Sequence, residues 1–180
     1  MSLKSHQDPR KSTRLHGYDY AQNGAYFVTL CTQNRLCLFG EIESSEMSPN
    51  DSGTMILNWC DELRVKFPNI ELDTYVLMPN HLHAIIVLFG AEIPKGAHVG
   101  APLQDASLDD IMQWFKTMTT NAYIRGVKEQ VWQPFPGKLW RRSYHDHIIR
   151  NEDDLNTHRQ YILSNPARWD EDTDNPNLKP

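Results

Sequence analysis

Along the chain, apolar positions switch between a period of two and a period near 3.6, the signatures of strand and helix. AYFVTLCT (25–32) is rich in β-branched and aromatic residues and predicts a strand. Residues 40–53 carry Gly, Pro, Ser and Asn and predict a loop. From Thr54 onward Ile56, Trp59, Cys60, Leu63 and Phe67 share one helical face, and Pro68 ends that helix. IELDTYVLM (70–78) alternates again, Pro79-Asn80 marks a turn, and HLHAIIVL (81–88) predicts the antiparallel return strand. Residues 89–106 hold three Gly and two Pro and predict a long loop. Ser107 with Asp110 reads as a helix cap, followed by the apolar stripe Leu108, Ile111, Met112, Phe115, Met118 and Ala122. A linker (126–138) leads to LWRRSYHDHII (139–149), a further strand. Asn151 caps a last helix with an acidic first turn, which stops at Ser164 before Pro166. The tail after it is polar and predicts irregular structure.

The first six elements spell βαββαβ, the ferredoxin-like order of an α+β fold. Two helices are expected on one face of an antiparallel sheet, leaving the other face to a ligand or to the additional C-terminal helix. A length of 180 residues fits a single domain (1–180), with a basic arm at 1–14 and a polar tail at 170–180. With 39% hydrophobic and 23% charged residues the composition is that of a folded globular chain. No apolar run is long enough to cross a membrane, and the polar, basic start is not a secretory signal. Cys31, Cys37 and Cys60 are odd in number and form no CxxC pair, so a reducing, cytoplasmic setting is expected. A net charge of −5 argues against sequence-blind coating of DNA but leaves room for a local basic groove. Lys4, Arg10, Lys11 and Arg14 cluster at the start, and Lys138, Arg141, Arg142 and Arg150 cluster late.

Two histidines interrupt an otherwise aliphatic strand. Alternation points His81 and His83 to one face and Leu82, Ala84 and Ile86 to the other. If the aliphatic set meets the helices, the imidazoles face the open side, about 7 Å apart along the strand, where they can share one divalent ion. The plain alternative is a pair of hydrogen-bonded strand histidines, because HxH alone is a weak motif. On the last helix Tyr161 and Asn165 stand four residues apart, hence on one face, away from the stripe of Leu155 and Ile162. By themselves these two read as an amphipathic tyrosine at a packing edge and a helix end.

Four longer stretches carry a resemblance: GYDYAQNGAYFVTLCTQNRLCLFGEI (17–42), YVLMPNHLHAIIVL (75–88), WFKTMTTNAYIRG (114–126) and LWRRSYHDHIIRNEDDLNTHRQYILSNPARW (139–169). Across residues 14–170 the chain resembles the single-tyrosine transposases of the HUH class, and most of all the REP-associated tyrosine transposases. The resemblance implies a ferredoxin-like fold with the tyrosine on the added C-terminal helix. It also implies Tyr161 as nucleophile and His81, His83 and Asn165 as metal ligands, with Asn165 standing where insertion-sequence members of the family usually carry Gln. The implied partner is single-stranded DNA that folds into hairpins; the clustered Arg10, Lys11, Arg14, Lys138, Arg141, Arg142 and Arg150 are expected to contact it, because a net acidic chain must concentrate its phosphate-binding charge locally. Relatives act as monomers or as homodimers.

The chemistry needs these residue types. Phosphodiester cleavage develops charge on phosphate oxygens, and a divalent ion withdraws it. Mg²⁺ prefers oxygen ligands and imidazole suits softer ions such as Mn²⁺, so the expected cofactor is a divalent ion, Mg²⁺ or Mn²⁺. Tyrosine stores the bond as a 5′-phosphotyrosine while freeing a 3′-hydroxyl. Its ordinary pKa near 10 calls for help in losing the proton; His158 is a candidate base. Tyr75 and Tyr144 are rival tyrosines better explained as sheet residues. The alternative reading is a non-catalytic nucleic-acid-binding module of RNA-recognition topology, stacking bases on Tyr26, Phe27 and Tyr75, although no run matches the RNP1 pattern. A structural zinc protein lacks cysteine ligands at usable spacing.

Overall fold

A computed structural model describes residues 20–89, 106–129 and 131–178. The chain runs β1 (Gly24–Cys31), β2 (Gly40–Glu43), β3 (Glu46–Pro49), α1 (Asp51–Lys66), β4 (Ile70–Met78), β5 (His81–Leu88), α2 (Leu108–Lys128), β6 (His145–Ile149) and α3 (Glu152–Ser164). Four strands form one antiparallel sheet in the order β4-β5-β1-β6, while β2 and β3 pair only with each other. Leaving that hairpin aside, the order is the expected ferredoxin-like one, with β1 and β5 central.

The sheet is covered on both faces, unequally. On one side Tyr26, Val28 and Leu30 of β1 and Leu82, Ala84, Ile86 and Leu88 of β5 pack against Ile56, Cys60 and Leu63 of α1 and Ile111, Met112 and Phe115 of α2. This large core follows from period-two strands meeting period-3.6 helices. On the other side a smaller core joins Phe27 and Ile85 to Ile162 of α3, flanked by Val76, Val87, Ile149 and Leu155. A second hold on α3 is polar: the Arg159 guanidinium grips the Asp73 carboxylate with Nε at 2.9 Å and Nη2 at 2.6 Å, a two-pronged geometry that fixes orientation as well as distance.

All three helices start at side-chain caps. The Oδ1 atoms of Asn50 and Asn151 accept from the amides of Gly53 and Asp154, each at 2.9 Å. Ser107 and Asp110 form a reciprocal capping box. The Asn50 cap starts α1 at Asp51, before Thr54, where the apolar periodicity begins.

Three expectations change. Residues 40–53, read as a loop, contain the β2–β3 hairpin and the start of α1. Ser44 and Ser45 both take positive φ, 50° and 67°, as a two-residue primed turn requires. The usual Asn-Gly signal is absent, which hid the hairpin. The expected strand 139–149 pairs regularly only over His145–Ile149. Before it the chain is drawn toward α2: Trp140 Nε1 donates to Thr119 Oγ1 (2.9 Å) and Tyr144 Oη donates to Asp109 Oδ1 (2.6 Å). The Lys116 ammonium donates to the carbonyls of Arg141 and Arg142, at 2.7 and 2.8 Å, replacing sheet partners there. α2 extends through Gly126 instead of ending before it, because the missing Cβ leaves room for the Trp132 ring against the helix. The predicted loop 89–106 lies mostly outside the described residues, as does the basic arm.

Because Ile162 is fully buried, Ile162→Ala is expected to lower unfolding stability by about 2–5 kcal/mol. Leu163→Ala, one residue on and 65% exposed, is expected to cost less than about 0.5 kcal/mol. Urea denaturation of the two variants checks whether α3 is docked as described.

Candidate active site

β5 leaves the Pro79-Asn80 turn with His81 as its first residue, and its odd positions face α3. His81 and His83 are both buried, with ring centroids 4.5 Å apart. Each is held by its Nδ1. Asn80 donates through Nδ2 to the carbonyls of Arg35 and Asp174 (3.1 and 2.7 Å), which turns its Oδ1 toward His81 Nδ1 at 2.8 Å. His81 Nδ1 must therefore carry the hydrogen, and Nε2 keeps its lone pair. Thr29, opposite His83 in the β1–β5 register, places Oγ1 2.8 Å from His83 Nδ1, so the same tautomer is satisfied there.

Five buried side-chain nitrogen or oxygen atoms lack a hydrogen-bond partner among the described residues, and four of them belong to this site: His81 Nε2, His83 Nε2, Asn165 Oδ1 and Asp172 Oδ2. His81 Nε2 and Asp172 Oδ2 lie 3.7 Å apart. Donor atoms of His81, His83 and Asp172 all fall within 4.8 Å of one another. Leaving a buried polar atom unpaired costs roughly 1–3 kcal/mol, so four together describe a missing common partner. With His81 and His83 both carrying hydrogen on Nδ1, all four offer lone pairs, an arrangement compatible with a shared cation. Two imidazoles, an amide oxygen and a carboxylate form a mixed nitrogen–oxygen set that fits a divalent ion such as Mn²⁺ or Mg²⁺.

Asp172 was not singled out in the sequence. A 3-10 turn over Pro166–Glu171 leads into the polar tail, which has no helix or strand over 172–178 but folds back onto the site. Asn175 Nδ2 donates to the Trp169 carbonyl (2.9 Å), and Asp172 Oδ1 accepts from the Asp174 amide (2.7 Å), which leaves Oδ2 facing the histidines. Asp174 pairs with Arg35 at 3.2 Å and more loosely with Arg141 at 3.8 Å. The Asn165-Pro166 helix stop and the closely spaced acids 172 and 174 were the available signals, but nothing local showed where the return would land.

Tyr161 stands beside this pocket, 40% exposed, its ring edge-on to His83 with centroids 5.2 Å apart. Burial and then the Asp172 charge raise its pKa, while the Asn165 side chain works in the opposite direction. Burial lowers the pKa of His81 despite Asp172 and Asp174, which act to raise it. Burial, then His81 and His145, push His83 well below the usual imidazole range. Both rings are therefore neutral at pH 7, the state in which imidazole binds metal. Burial lifts the neighbouring Cys31 thiol to about 12, so it stays protonated.

The remaining expected residues fall into place unevenly. His158 packs its ring on Phe27 and directs Nδ1 to the Asp154 carbonyl (2.9 Å), not to Tyr161. Tyr144 is buried with its hydroxyl on Asp109 before β6 begins. Of the three sheet aromatics, Tyr26 lies in the large core and Phe27 lies under α3, so neither offers a stacking platform. A cavity of about 520 Å³ opens beside Tyr161, His83, Asp172 and Arg141. An adjoining one of about 680 Å³, between α2 and residues 137–144, is lined by Lys116, Lys138, Arg141 and Arg142. Arg141 and Tyr144 belong to both. Arg150 lines neither; Arg10, Lys11 and Arg14 lie outside the described residues.

No family profile matches the chain. An uncharacterised protein of Haemophilus influenzae is 35% identical over 168 residues, covering 91% of each chain. A REP-associated tyrosine transposase solved bound to a REP hairpin superposes with a TM-score of 0.57 at 21% identity, covering 86% of this chain and 73% of its own. A putative transposase from Deinococcus radiodurans gives 0.46 at 15% identity.

The depressed imidazole pKa values predict a pH dependence for the metal-free protein. Below the ordinary value of 6.5 the unfolded chain takes up protons that the folded chain refuses, so stability is expected to fall as pH drops through about 6.5. His83→Gln should flatten that fall. Urea midpoints between pH 7.5 and 5.5 test this.

Proposed function

We infer that this chain, which belongs to one family with the Haemophilus influenzae protein and has the fold of a REP-associated tyrosine transposase, is a metal-dependent nuclease and strand transferase. Its substrate is single-stranded DNA that folds into hairpins. The observation that carries this reading is the juxtaposition of a half-exposed tyrosine with a group of four buried lone-pair donors, two of which, His83 and Asp172, line the same cavity as Tyr161. The hairpin is the partner of the structural relative, and the adjoining basic cavity supports a phosphate backbone as partner here.

His81, His83, Asp172 and Asn165 would hold the ion. When bound, a divalent ion supplies Lewis-acid stabilisation of charge on the scissile phosphate. Tyr161 Oη forms a bond to phosphorus as the bond to the 3′-oxygen breaks, giving a 5′-phosphotyrosine and a free 3′-hydroxyl. The phenol proton leaves to solvent at the exposed edge of the ring, because His158 is committed to Asp154. Burial first, and then the Asp172 charge, keep the phenol's pKa high, so a cation that offset that charge would ease loss of the phenol proton. Arg141, which lines both cavities, would hold the phosphate beside Tyr161, and Lys138 and Arg142 of the adjoining cavity would follow the strand away from it.

Tyr161→Phe is expected to abolish the covalent protein–DNA adduct, a loss of roughly a thousandfold or more in cleavage, while hairpin binding persists. Tyr144→Phe should still form the adduct. Asp172→Asn should raise the Mn²⁺ concentration for half-maximal cleavage by about tenfold or more. A labelled hairpin with a single-stranded flank, resolved under denaturing conditions, reads all three. An adduct from Tyr161→Phe would overturn the assignment.

Arg141→Ala combined with Arg142→Ala is expected to weaken hairpin binding and to reduce the slope of log affinity against log salt by about two. Binding isotherms at several salt concentrations check it; an unchanged slope would exclude this groove as the phosphate track.

A further inference from the structure

A second set of side chains able to ligate a metal lies beside Phe27. The Phe27 ring stacks on His83 at 5.4 Å and also meets His158 at 4.8 Å. His158 in turn stacks on His147 of β6, centroids 4.6 Å apart and planes inclined by 21°. Both imidazoles converge on one carboxylate: His147 Nε2 lies 3.0 and 3.2 Å from the two oxygens of Asp154, and His158 Nδ1 lies 3.1 Å from Oδ1. Donor atoms of the three residues all fall within 4.8 Å of one another.

We propose that His147, Asp154 and His158 form a second divalent metal site of the zinc class, which ties β6 to α3. Three arguments carry it. The ligands are those of an open zinc site, two imidazoles and a carboxylate with one position left for water. Asp154 and His158 are four apart on α3, so a single helical face presents both. The spacing is also close to what an ion needs: bonds of about 2.1 Å at a tetrahedral angle hold donor atoms about 3.4 Å apart, within a few tenths of an ångström of the nitrogen–carboxylate separations found here. Loading needs that the ion replace the hydrogens now shared with the carboxylate: His147 moves its hydrogen from Nε2 to Nδ1, and His158 gives up its bond to the Asp154 carbonyl and moves its hydrogen from Nδ1 to Nε2. The His147 side chain is 41% exposed, which provides the entry path. Asp154 also accepts from the Arg150 amide at 3.1 Å, which holds the carboxylate in place. Nothing in this depends on the nuclease reading. Its consequence for that reading is positional: the ion would fix α3 one turn before Tyr161.

The test is metal stoichiometry of the full chain. After equilibrium dialysis against Zn²⁺, the wild type is expected to retain roughly two ions per chain, His147→Gln one, His81→Gln one, and the double variant none. Zn²⁺ should also raise the thermal midpoint of His81→Gln, whose remaining site is the one proposed, and not that of the double variant. Retention of the His81-dependent ion by His147→Gln shows that this variant is folded. A wild type that binds one ion, lost in His81→Gln and kept in His147→Gln, would overturn the proposal and leave the cluster as a hydrogen-bonded ladder. A second ion that survives His147→Gln would overturn it equally.

Discussion

A buried polar atom needs a partner, and the space between β5 and the C-terminal segment holds four that have none among the described residues. Asn165 Oδ1 and Asp172 Oδ2 can only accept, as does His81 Nε2 once its Nδ1 hydrogen goes to Asn80, and His83 Nε2 joins them in the tautomer that donates to Thr29. Their surroundings enforce this. Asn80 and Thr29 occupy the Nδ1 atoms and turn the Nε2 lone pairs inward. Burial then keeps both rings uncharged. A divalent cation there would satisfy these atoms, and would link folding to metal binding through them.

That constraint explains why the second face of the sheet is built differently from the first. The helical side is a broad apolar layer and needs no polar pairing. The opposite side must bury two imidazoles, yet keep one edge open. α3 does this with a small apolar contact, Ile162 on Phe27 and Ile85, and a two-pronged ion pair between Arg159 and Asp73 at the sheet's outer strand. A helix held at two points can present Tyr161 at the rim without covering the cavity. The aromatic stack from Tyr161 through His83 and Phe27 to His158 and His147 carries the same order across the sheet.

The basic residues are distributed by the same economy. A chain with net charge −5 gathers Lys116, Lys138, Arg141 and Arg142 around one cavity. Lys116 spends its ammonium on two backbone carbonyls, so it shapes the wall. The departure of residues 139–144 from regular pairing places Arg141 between the two cavities. A continuous strand would have alternated these side chains across the sheet.

Period-two alternation on a strand and i,i+4 spacing on a helix are local properties, and they determined the ferredoxin-like order, the shared face of His81 and His83, and the shared face of Tyr161 and Asn165. Caps at Ser107 and Asn151 were legible for the same reason, since each cap satisfies amides within three residues. What tertiary structure alone decided is long-range. The return of the tail depends on Asn80 binding the Asp174 carbonyl and on Arg35 and Arg141 meeting its carboxylate, contacts spanning many residues of sequence, and only this return brings Asp172 to the histidines. The meeting of His147 with Asp154 and His158 likewise depends on how α3 docks, which Ile162 and the Arg159–Asp73 pair set. The Ser44-Ser45 turn and the bowing of 139–144 toward α2 went unseen because packing overrode weak local preference: two serines at positive φ carry no sequence signal, and the tie from Trp140 to Thr119 crosses between separate elements.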